Sequence, residues 1–372
     1  MNTNAINSKP HYPILDGLRG VAALMVVAFH IFEAHATSHL DQVINHGYLA
    51  VDFFFLLSGF VIGYAYDDRW DNMSIGNFFK RRLIRLQPMV IMGMIIGALL
   101  FYFQDSVVLW PSIHEVPVWK MLLVMVIGFT LIPVPSSLDI RGWAEMHPLN
   151  GPGWSLFYEY IANIMYALFV RKFSKTALSI LVFLAGCALI HLAVTSPNGD
   201  IIGGWSLNPE QIHIGFARMM YPFFAGVLLF RMGKLIHIKN AFFWCSLLVI
   251  IALAMPRIGG SESLWMNGIY DSAVVILFFP LIIFLAAGGE IKGKFSARVC
   301  KFFGDISYPI YITHYPIIYI YTAWAIDNKI KFSDAYPISI LVLLSCVALA
   351  YACLKLYDIP VRKWINNKVF PK

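Results

Sequence analysis

The chain has 372 residues, of which 59% are apolar, 15% aromatic and only 13% charged, and its formal net charge is +7. Soluble domains carry about 25% charged residues, so a soluble enzyme of this length would be left with a largely apolar surface. The composition also excludes a disordered chain, a collagen-like chain and a disulfide scaffold. The sequence therefore predicts an all-α polytopic membrane protein.

Eleven apolar stretches follow one another along the chain, separated by short connections. They lie near residues 18–35, 47–66, 86–104, 119–135, 153–171, 177–195, 214–230, 240–255, 269–287, 305–324 and 336–357. Stretches of this length and composition are typical of transmembrane helices. No connection could fold as a separate soluble domain, so we expect a single transmembrane domain over residues 1–372.

The distribution of lysine and arginine predicts the orientation of these helices. Basic residues cluster around 80–85, 171–175, 231–239, 292–301 and 362–372, which should be cytoplasmic, whereas 35–46 and 195–213 contain neither lysine nor arginine. This clustering points to the lipid bilayer as a partner and argues against nucleic acid. An even number of crossings is needed between residues 86 and 171, where three apolar stretches lie. We therefore expect about ten transmembrane helices, both termini in the cytoplasm, and one re-entrant, interfacial or broken stretch within 86–171.

The first apolar stretch carries ionisable residues on one face. Arg19 and His30 are eleven residues apart, which is about three helical turns and about 16 Å along the axis, so they return to nearly the same face. Asp16 and Glu33 lie one turn outside them, again on that face. Ionisable groups within membrane helices are costly and by default indicate a functional site. The alternative is that Arg19 anchors the helix end and His30 makes a packing hydrogen bond.

Polar residues also mark the second and third stretches. Asp52 precedes an aromatic block that ends in Ser58 and Gly59, a pair that permits close packing of helices. Arg82 and Arg85 share a helical face next to the predicted cytoplasmic boundary. Guanidinium groups suit phosphate, although positive-inside anchors are the alternative for both residues.

Two later segments complete the set of candidate residues. Trp154, Ser155 and Glu159 begin the fifth stretch, where a glutamate could merely complement the helix dipole. Tyr311 and His314 lie on a polar stripe near the end of the chain, where core-facing tyrosines are the alternative. The sequence has no Walker A loop, nucleophile elbow, H-E-x-x-H motif or paired metal-ligand spacing, so we expect neither a hydrolase nor a bound metal.

Taken in order, these motifs resemble those of the acyltransferase-3 family of bacterial integral-membrane acyltransferases. The matching segments are R-x10-H at 19–30, VDFFFLLSGF at 51–60, R-R-x-x-R-L-x-P at 81–88, W-S-L-x-x-E at 154–159 and S-Y-x-x-Y-x-x-H at 307–314. At 358–360 the chain has D-I-P where the family commonly has E-x-P, which keeps the charge. We expect a stand-alone transferase domain without the extracytoplasmic SGNH-type domain that some members append.

The resemblance implies an O-acyltransferase of the cell inner membrane. It would move an acyl group, usually acetyl, from cytoplasmic acyl-CoA as co-substrate to a hydroxyl of a surface polysaccharide or lipid-linked sugar, with no bound cofactor. The implied catalytic residues are His30, Arg19, Glu159 and Asp52, the implied donor-binding residues are Arg82, Arg85, Ser58 and Gly59, and the implied substrate-binding residues are Glu33, Trp154, Ser155, Tyr311 and His314.

His30 would act as general base or would itself carry the acyl group, and Asp52, Glu33 or Glu159 would orient its ring. A proton-coupled transporter or flippase of a glycan or small acid is the alternative function, because such carriers also use buried arginine, histidine and glutamate.

Overall fold

A computed structural model describes residues 12–38, 40–233 and 235–371. This part of the chain forms eleven helices and contains no strand. The helices are α1 (Pro13–Glu33), α2 (Ala50–Tyr66), α3 (Ile75–Tyr102), α4 (Val118–Gly128), α5 (Gly153–Leu168), α6 (Lys175–Thr195), α7 (Pro209–Met232), α8 (Ala241–Ala254), α9 (Trp265–Gly288), α10 (Lys294–Asp327) and α11 (Phe332–Val369). One helix coincides with each predicted apolar stretch, so the prediction of an all-helical fold is confirmed.

Local sequence explains several helix ends. Helix α3 begins after Ser74, whose hydroxyl oxygen accepts a hydrogen bond from the backbone N–H of Asn77 at 3.2 Å. Helix α7 begins at Pro209, which suits the first turn of a helix because proline has no backbone N–H that would need an acceptor there. It ends before Gly233, whose φ of 69° lies in the left-handed region that terminates helices.

Among the helices of the described residues, seven are long and apolar enough to cross a membrane, namely α1, α2 with its preceding turn, α3, α6, α7, α9 and α11. Helices α4 and α8 are apolar but contain only 11 and 14 residues. An 11-residue helix is about 16 Å long, roughly half the thickness of the hydrocarbon core. Helix α10 has 34 residues, but polar residues interrupt its apolar sequence.

Two pairs of helices pack closely at a glycine, α1 with α10 and α2 with α7. Helix α1 packs along α10, and a Cβ atom on Gly20 would lie 2.2 Å from the carbonyl oxygen of Phe303. Helix α2 packs along α7, and a Cβ atom on Gly59 would lie 1.8 Å from the carbonyl oxygen of Phe223. Only glycine permits such approaches, and they bring the polar residues of neighbouring helices together.

The connection between α4 and α5 folds back onto the bundle. The backbone N–H of Met146 donates to the carbonyl oxygen of Trp205 at 2.7 Å, and Glu145 forms an isolated antiparallel bridge with Ser206. The side-chain amide of Asn150 donates to the carbonyl oxygen of Ile312 in α10 at 2.8 Å. This connection therefore closes one end of the space between α1, α7 and α10.

Candidate active site

Two cavities in the bundle contain most of the predicted site residues. The first, of about 690 Å³, is called the arginine cavity, and its polar lining includes Arg19, Ser58, Arg82, Arg85, Ser155 and Glu159. The second, of about 1170 Å³, is called the histidine cavity, and its polar lining includes His30, Glu33, Glu145, Trp154 and Arg218. Val51 and Tyr311 line both cavities, which therefore lie on either side of these two side chains.

Helix α1 connects the two cavities, as its predicted polar face requires. Arg19 lines the arginine cavity and His30 lines the histidine cavity. A guanidinium nitrogen of Arg19 lies 2.9 Å from a carboxylate oxygen of Asp16. Nδ1 of His30 lies 2.6 Å from a carboxylate oxygen of Glu33. The structure thus brings together the four residues of the predicted face as two pairs, one at each end of the helix.

His30 sits in a setting that suits proton transfer. The carboxylate of Glu33 favours the tautomer with a proton on Nδ1, which leaves Nε2 as the acceptor. The ring stacks on that of His314 with centroids 5.7 Å apart, and the ring of Tyr315 packs edge-on at 4.7 Å. The Nδ1 atom of His314 lies 2.9 Å from the carbonyl oxygen of Ile310. Within the described residues, its buried Nε2 has no hydrogen-bond partner.

In the arginine cavity, one carboxylate joins three helices. Glu159 of α5 accepts hydrogen bonds from Arg82 of α3 at 2.6 Å and from the hydroxyl of Ser58 of α2 at 2.7 Å. Arg85 lies one turn from Arg82 and lines the same cavity. Glu159 therefore holds the Arg82 guanidinium in place in the arginine cavity, and it does not line the histidine cavity that contains His30.

Tyr311 and Ser155 form the boundary between the cavities. Their hydroxyl oxygens are 2.7 Å apart, and both side chains are buried. The neighbouring Trp154 lines the histidine cavity, and the guanidinium of Arg218 lies 5.2 Å from the centroid of its ring. The predicted residues of α5 are therefore divided between the two cavities and Tyr311 lines both, whereas His314 is fully buried and lines neither.

Besides His314, two predicted residues occupy places that do not fit their expected roles. Asp52 is fully buried and forms a 2.6 Å ion pair with Arg218, so it cannot orient the ring of His30; of the three candidate carboxylates, only Glu33 contacts that ring. Gly59 faces the backbone of α7 and lines neither cavity. Because Gly59 has no side chain, α2 and α7 can pack closely there, and only Ser58 of this pair lines the arginine cavity.

Sequence reasoning did not identify the partner of Asp52. Arg218 is buried and donates to Asp52 and to the carbonyl oxygens of Tyr48 and Gly203. From the sequence alone it could equally be an anchor at the start of an apolar helix. The sequence does contain one signal of this pair, because Asp52 and Arg218 lie in two separate apolar stretches and buried charges must be paired.

Glu145 was also missed. It lies in the connection before α5, lines the histidine cavity and accepts a hydrogen bond from the hydroxyl of Tyr319, whose oxygen is 2.7 Å from one carboxylate oxygen and 2.9 Å from the other. Burial raises the pKa of Glu145 to about 7, although the Tyr319 hydroxyl and the positive charge of Arg141 act in the opposite direction. The rings of Trp143 and Trp205 line the same cavity, which gives it a largely aromatic wall.

Sequence comparisons find similarity to known acyltransferases. O-acetyltransferase OatA of Staphylococcus aureus is 23% identical over a match that covers 95% of this chain and 58% of that protein. Acyltransferase MdmB of Streptomyces mycarofaciens is 31% identical over 174 residues, which cover 44% of this chain and 40% of that protein. The chain therefore spans about half the length of these two relatives.

A Rhizobium radiobacter protein named protein 2 in picA locus is 34% identical over 160 residues, which cover 41% of this chain and 80% of that protein. No solved structure matches the chain. The sequence profile of the acyltransferase-3 family, described as an acyltransferase domain, matches residues 12–355. The chain is thus a member of this family of acyltransferases.

Proposed function

We propose that the protein is an integral-membrane O-acyltransferase. It takes an acyl group, acetyl in the simplest case, from cytoplasmic acyl-CoA and transfers it to a hydroxyl of a surface polysaccharide or lipid-linked sugar. The observation that carries this proposal is the placement of Arg19 and His30 at opposite ends of α1, in two cavities that adjoin at Tyr311. One helix thereby links a site for an anionic donor to a site for a neutral acceptor.

The proposed location is the cell inner membrane, with about ten crossings and both termini in the cytoplasm. This topology puts Arg82 and Arg85 at the cytoplasmic side, where a soluble donor arrives. The short helix α4 is the stretch within 86–171 that fails to cross, because 11 residues are too few to span the hydrocarbon core. Helix α4 packs against α3, and Met121, Val124 and Gly128 are its buried residues.

The arginine cavity suits the donor. Arg19, Arg82 and Arg85 line it, and coenzyme A carries several phosphates that guanidinium groups bind well. The carboxylate of Glu159 fixes the direction of Arg82, and Ser58 supports that carboxylate. A donor whose phosphates lie on these arginines directs its thioester toward Tyr311 and the histidine cavity.

The histidine cavity suits the acceptor. Tryptophan and tyrosine rings form much of its wall, and they combine large apolar contact surfaces with a few polar groups. Glu33 and Glu145 add hydrogen-bond acceptors for sugar hydroxyls. The boundary at Tyr311 then brings the acceptor hydroxyl next to the thioester that arrives from the other side.

His30 supplies the base for this transfer. Its Nε2 takes the proton of the acceptor hydroxyl while that oxygen attacks the thioester carbonyl, and Glu33 stabilises the imidazolium that results. The C–S bond then breaks, and the thiolate of coenzyme A takes up a proton. In the other route, Nε2 attacks the thioester first and carries the acyl group to the acceptor. Both routes require the same tautomer of His30.

The test uses acetyl-CoA labelled in its acetyl group and membrane vesicles that contain the protein. Inverted vesicles expose the cytoplasmic face, so we expect them to consume the thioester and retain label in ester linkage, while right-side-out vesicles do neither. Vesicles without the protein are the control. Transport of a glycan or small acid without thioester cleavage in either orientation would contradict the proposal and favour a transporter.

A further inference from the structure

A basic groove lies beside the arginine cavity, between the first turns of α3 and the last turns of α11. Its polar lining consists of Arg81, Arg85, Arg362, Lys363, Asn366 and Asn367. Four of these side chains are cationic, and no aspartate or glutamate lines the groove. Such a combination of guanidinium, ammonium and amide donors matches the oxygen atoms of a phosphate group.

Nearby acids do not pair with most of the cationic hydrogen-bond donors of the groove. Arg362 pairs with Asp358 at 2.7 Å, one turn earlier on α11. Among the residues that the structure describes, Arg81, Arg85 and Lys363 have no acidic partner. Arg81 packs over the ring of Phe370 at 4.5 Å, which holds its guanidinium at the groove. Three cations are therefore left for an anionic ligand.

A neighbouring opening shows the contrast. Its lining contains five cations and three acids, and it shares Arg85 and Arg362 with the basic groove. Lys301 pairs with Asp305 at 2.8 Å, and Arg19 pairs with Asp16 at 2.9 Å. Three acids thus pair with cations in this opening, whereas no acid lines the basic groove.

The position of the groove decides which end of a donor reaches it. Arg85 lines both the basic groove and the arginine cavity, and it is their one shared residue. The groove therefore adjoins the arginine cavity at Arg85 but does not reach Tyr311, where the thioester must react. In coenzyme A, the ribose 3′-phosphate is at the end of the molecule opposite the thiol.

We propose that the basic groove binds the 3′-phosphate of the acyl-CoA donor, with Lys363 and Arg81 as its main contacts and Arg85 between this phosphate and the diphosphate. The last turns of α11 are then part of the donor site. This inference rests on the proposed function, since it assumes a coenzyme A donor. A phosphomonoester carries nearly two negative charges at neutral pH, which is more than either phosphate of the diphosphate carries.

The test compares coenzyme A with 3′-dephospho-coenzyme A by calorimetric titration of the full-length protein in phosphatidylcholine nanodiscs. We expect the wild type to bind coenzyme A more tightly by roughly tenfold or more. Lys363→Gln should reduce this preference several-fold, and Lys363→Gln combined with Arg81→Gln should remove it. The matched control is Lys368→Gln, on the same helix, because Lys368 packs over Trp364 and does not line the groove. This control should keep the wild-type preference.

Each other result overturns the inference in a distinguishable way. If the Lys363 and Arg81 variants keep the preference, the 3′-phosphate binds elsewhere. If these variants bind both ligands like the wild type, but the wild type binds phosphatidylglycerol added to the nanodiscs and the variants do not, the groove holds a lipid headgroup. If the wild type binds neither ligand, the proposed function fails together with the groove.

Discussion

Nδ1 of His30 lies 2.6 Å from the carboxylate of Glu33, one turn later on the same helix. Both residues line the histidine cavity. Near the other end of α1, Asp16 and Arg19 form a second pair, and Arg19 lines the arginine cavity. A histidine held in this way has a defined tautomer and a free Nε2. This relationship is the basis of the proposed chemistry.

Replacing Glu33 tests that relationship. Glu33→Gln keeps a hydrogen-bond acceptor for Nδ1 but removes the negative charge that stabilises an imidazolium, so kcat should fall by roughly a hundredfold with little change in donor affinity. Coenzyme A release under saturating acetyl-CoA measures the effect. Glu115→Gln, at an exposed carboxylate that lines neither cavity, serves as control and should behave as wild type. An unchanged kcat for Glu33→Gln would remove Glu33 from the mechanism.

The buried pair of Asp52 and Arg218 should act on stability. Asp52→Asn leaves the Arg218 guanidinium buried without its counter-charge, which should destabilise the fold by roughly 3 kcal/mol or more. Combining it with Arg218→Met should recover part of the loss in Tm in detergent. Lys301→Gln, at the exposed pair with Asp305, should leave Tm almost unchanged. A normal Tm with reduced kcat in Asp52→Asn would instead support a catalytic role.

Glu145 predicts a pH dependence of stability. Burial raises the pKa of Glu145 from 4.5 to about 7. Between these two pH values its carboxyl group is protonated in the folded state and ionised in the unfolded state. The free energy of unfolding should therefore fall as pH rises from about 4.5 to about 7, by at most about 3 kcal/mol. In Glu145→Gln this contribution is absent. Tm measured across the window should decline more steeply in the wild type, and parallel curves would contradict the prediction.

Gly59 distinguishes helix packing from donor binding. Gly59→Ala forces a Cβ atom against the carbonyl oxygen of Phe223, so we expect a marked fall in Tm and in the yield of folded protein. Gly76→Ala is the matched control, because Ser74 Oγ at 4.0 Å is the nearest atom there and alanine favours a helix. Coenzyme A affinity of the folded Gly59→Ala fraction should be unchanged. A selective loss of affinity with normal Tm would restore Gly59 to the donor site.

The parts of the site that depend on local helical geometry were predictable from sequence. Arg19 and His30 share a face because eleven residues complete about three turns, and no knowledge of other helices is needed. The same periodicity put Ser155 and Glu159 on one face of α5. These residues could be assigned to a common polar interior before the fold was known.

Long-range pairing was not predictable in this way. Asp52 and Arg218 are 166 positions apart, and a polar residue in an apolar stretch does not reveal which partner neutralises it. Glu145 lies in an irregular connection, where no periodicity indicates the direction of a side chain. Asp52 was one of three carboxylates expected to orient the ring of His30, and it pairs with Arg218 instead because a fully buried carboxylate requires a nearby cation.

The most direct test of the central claim is coenzyme A release from acetyl-CoA by the purified protein in nanodiscs, with His30→Ala beside the wild type. We predict that His30→Ala loses turnover by roughly a hundredfold or more while its affinity for coenzyme A is unchanged. His191→Ala, at an exposed histidine of α6, should retain wild-type turnover. Turnover by His30→Ala at the wild-type rate would contradict the assignment of His30 as the base or acyl carrier.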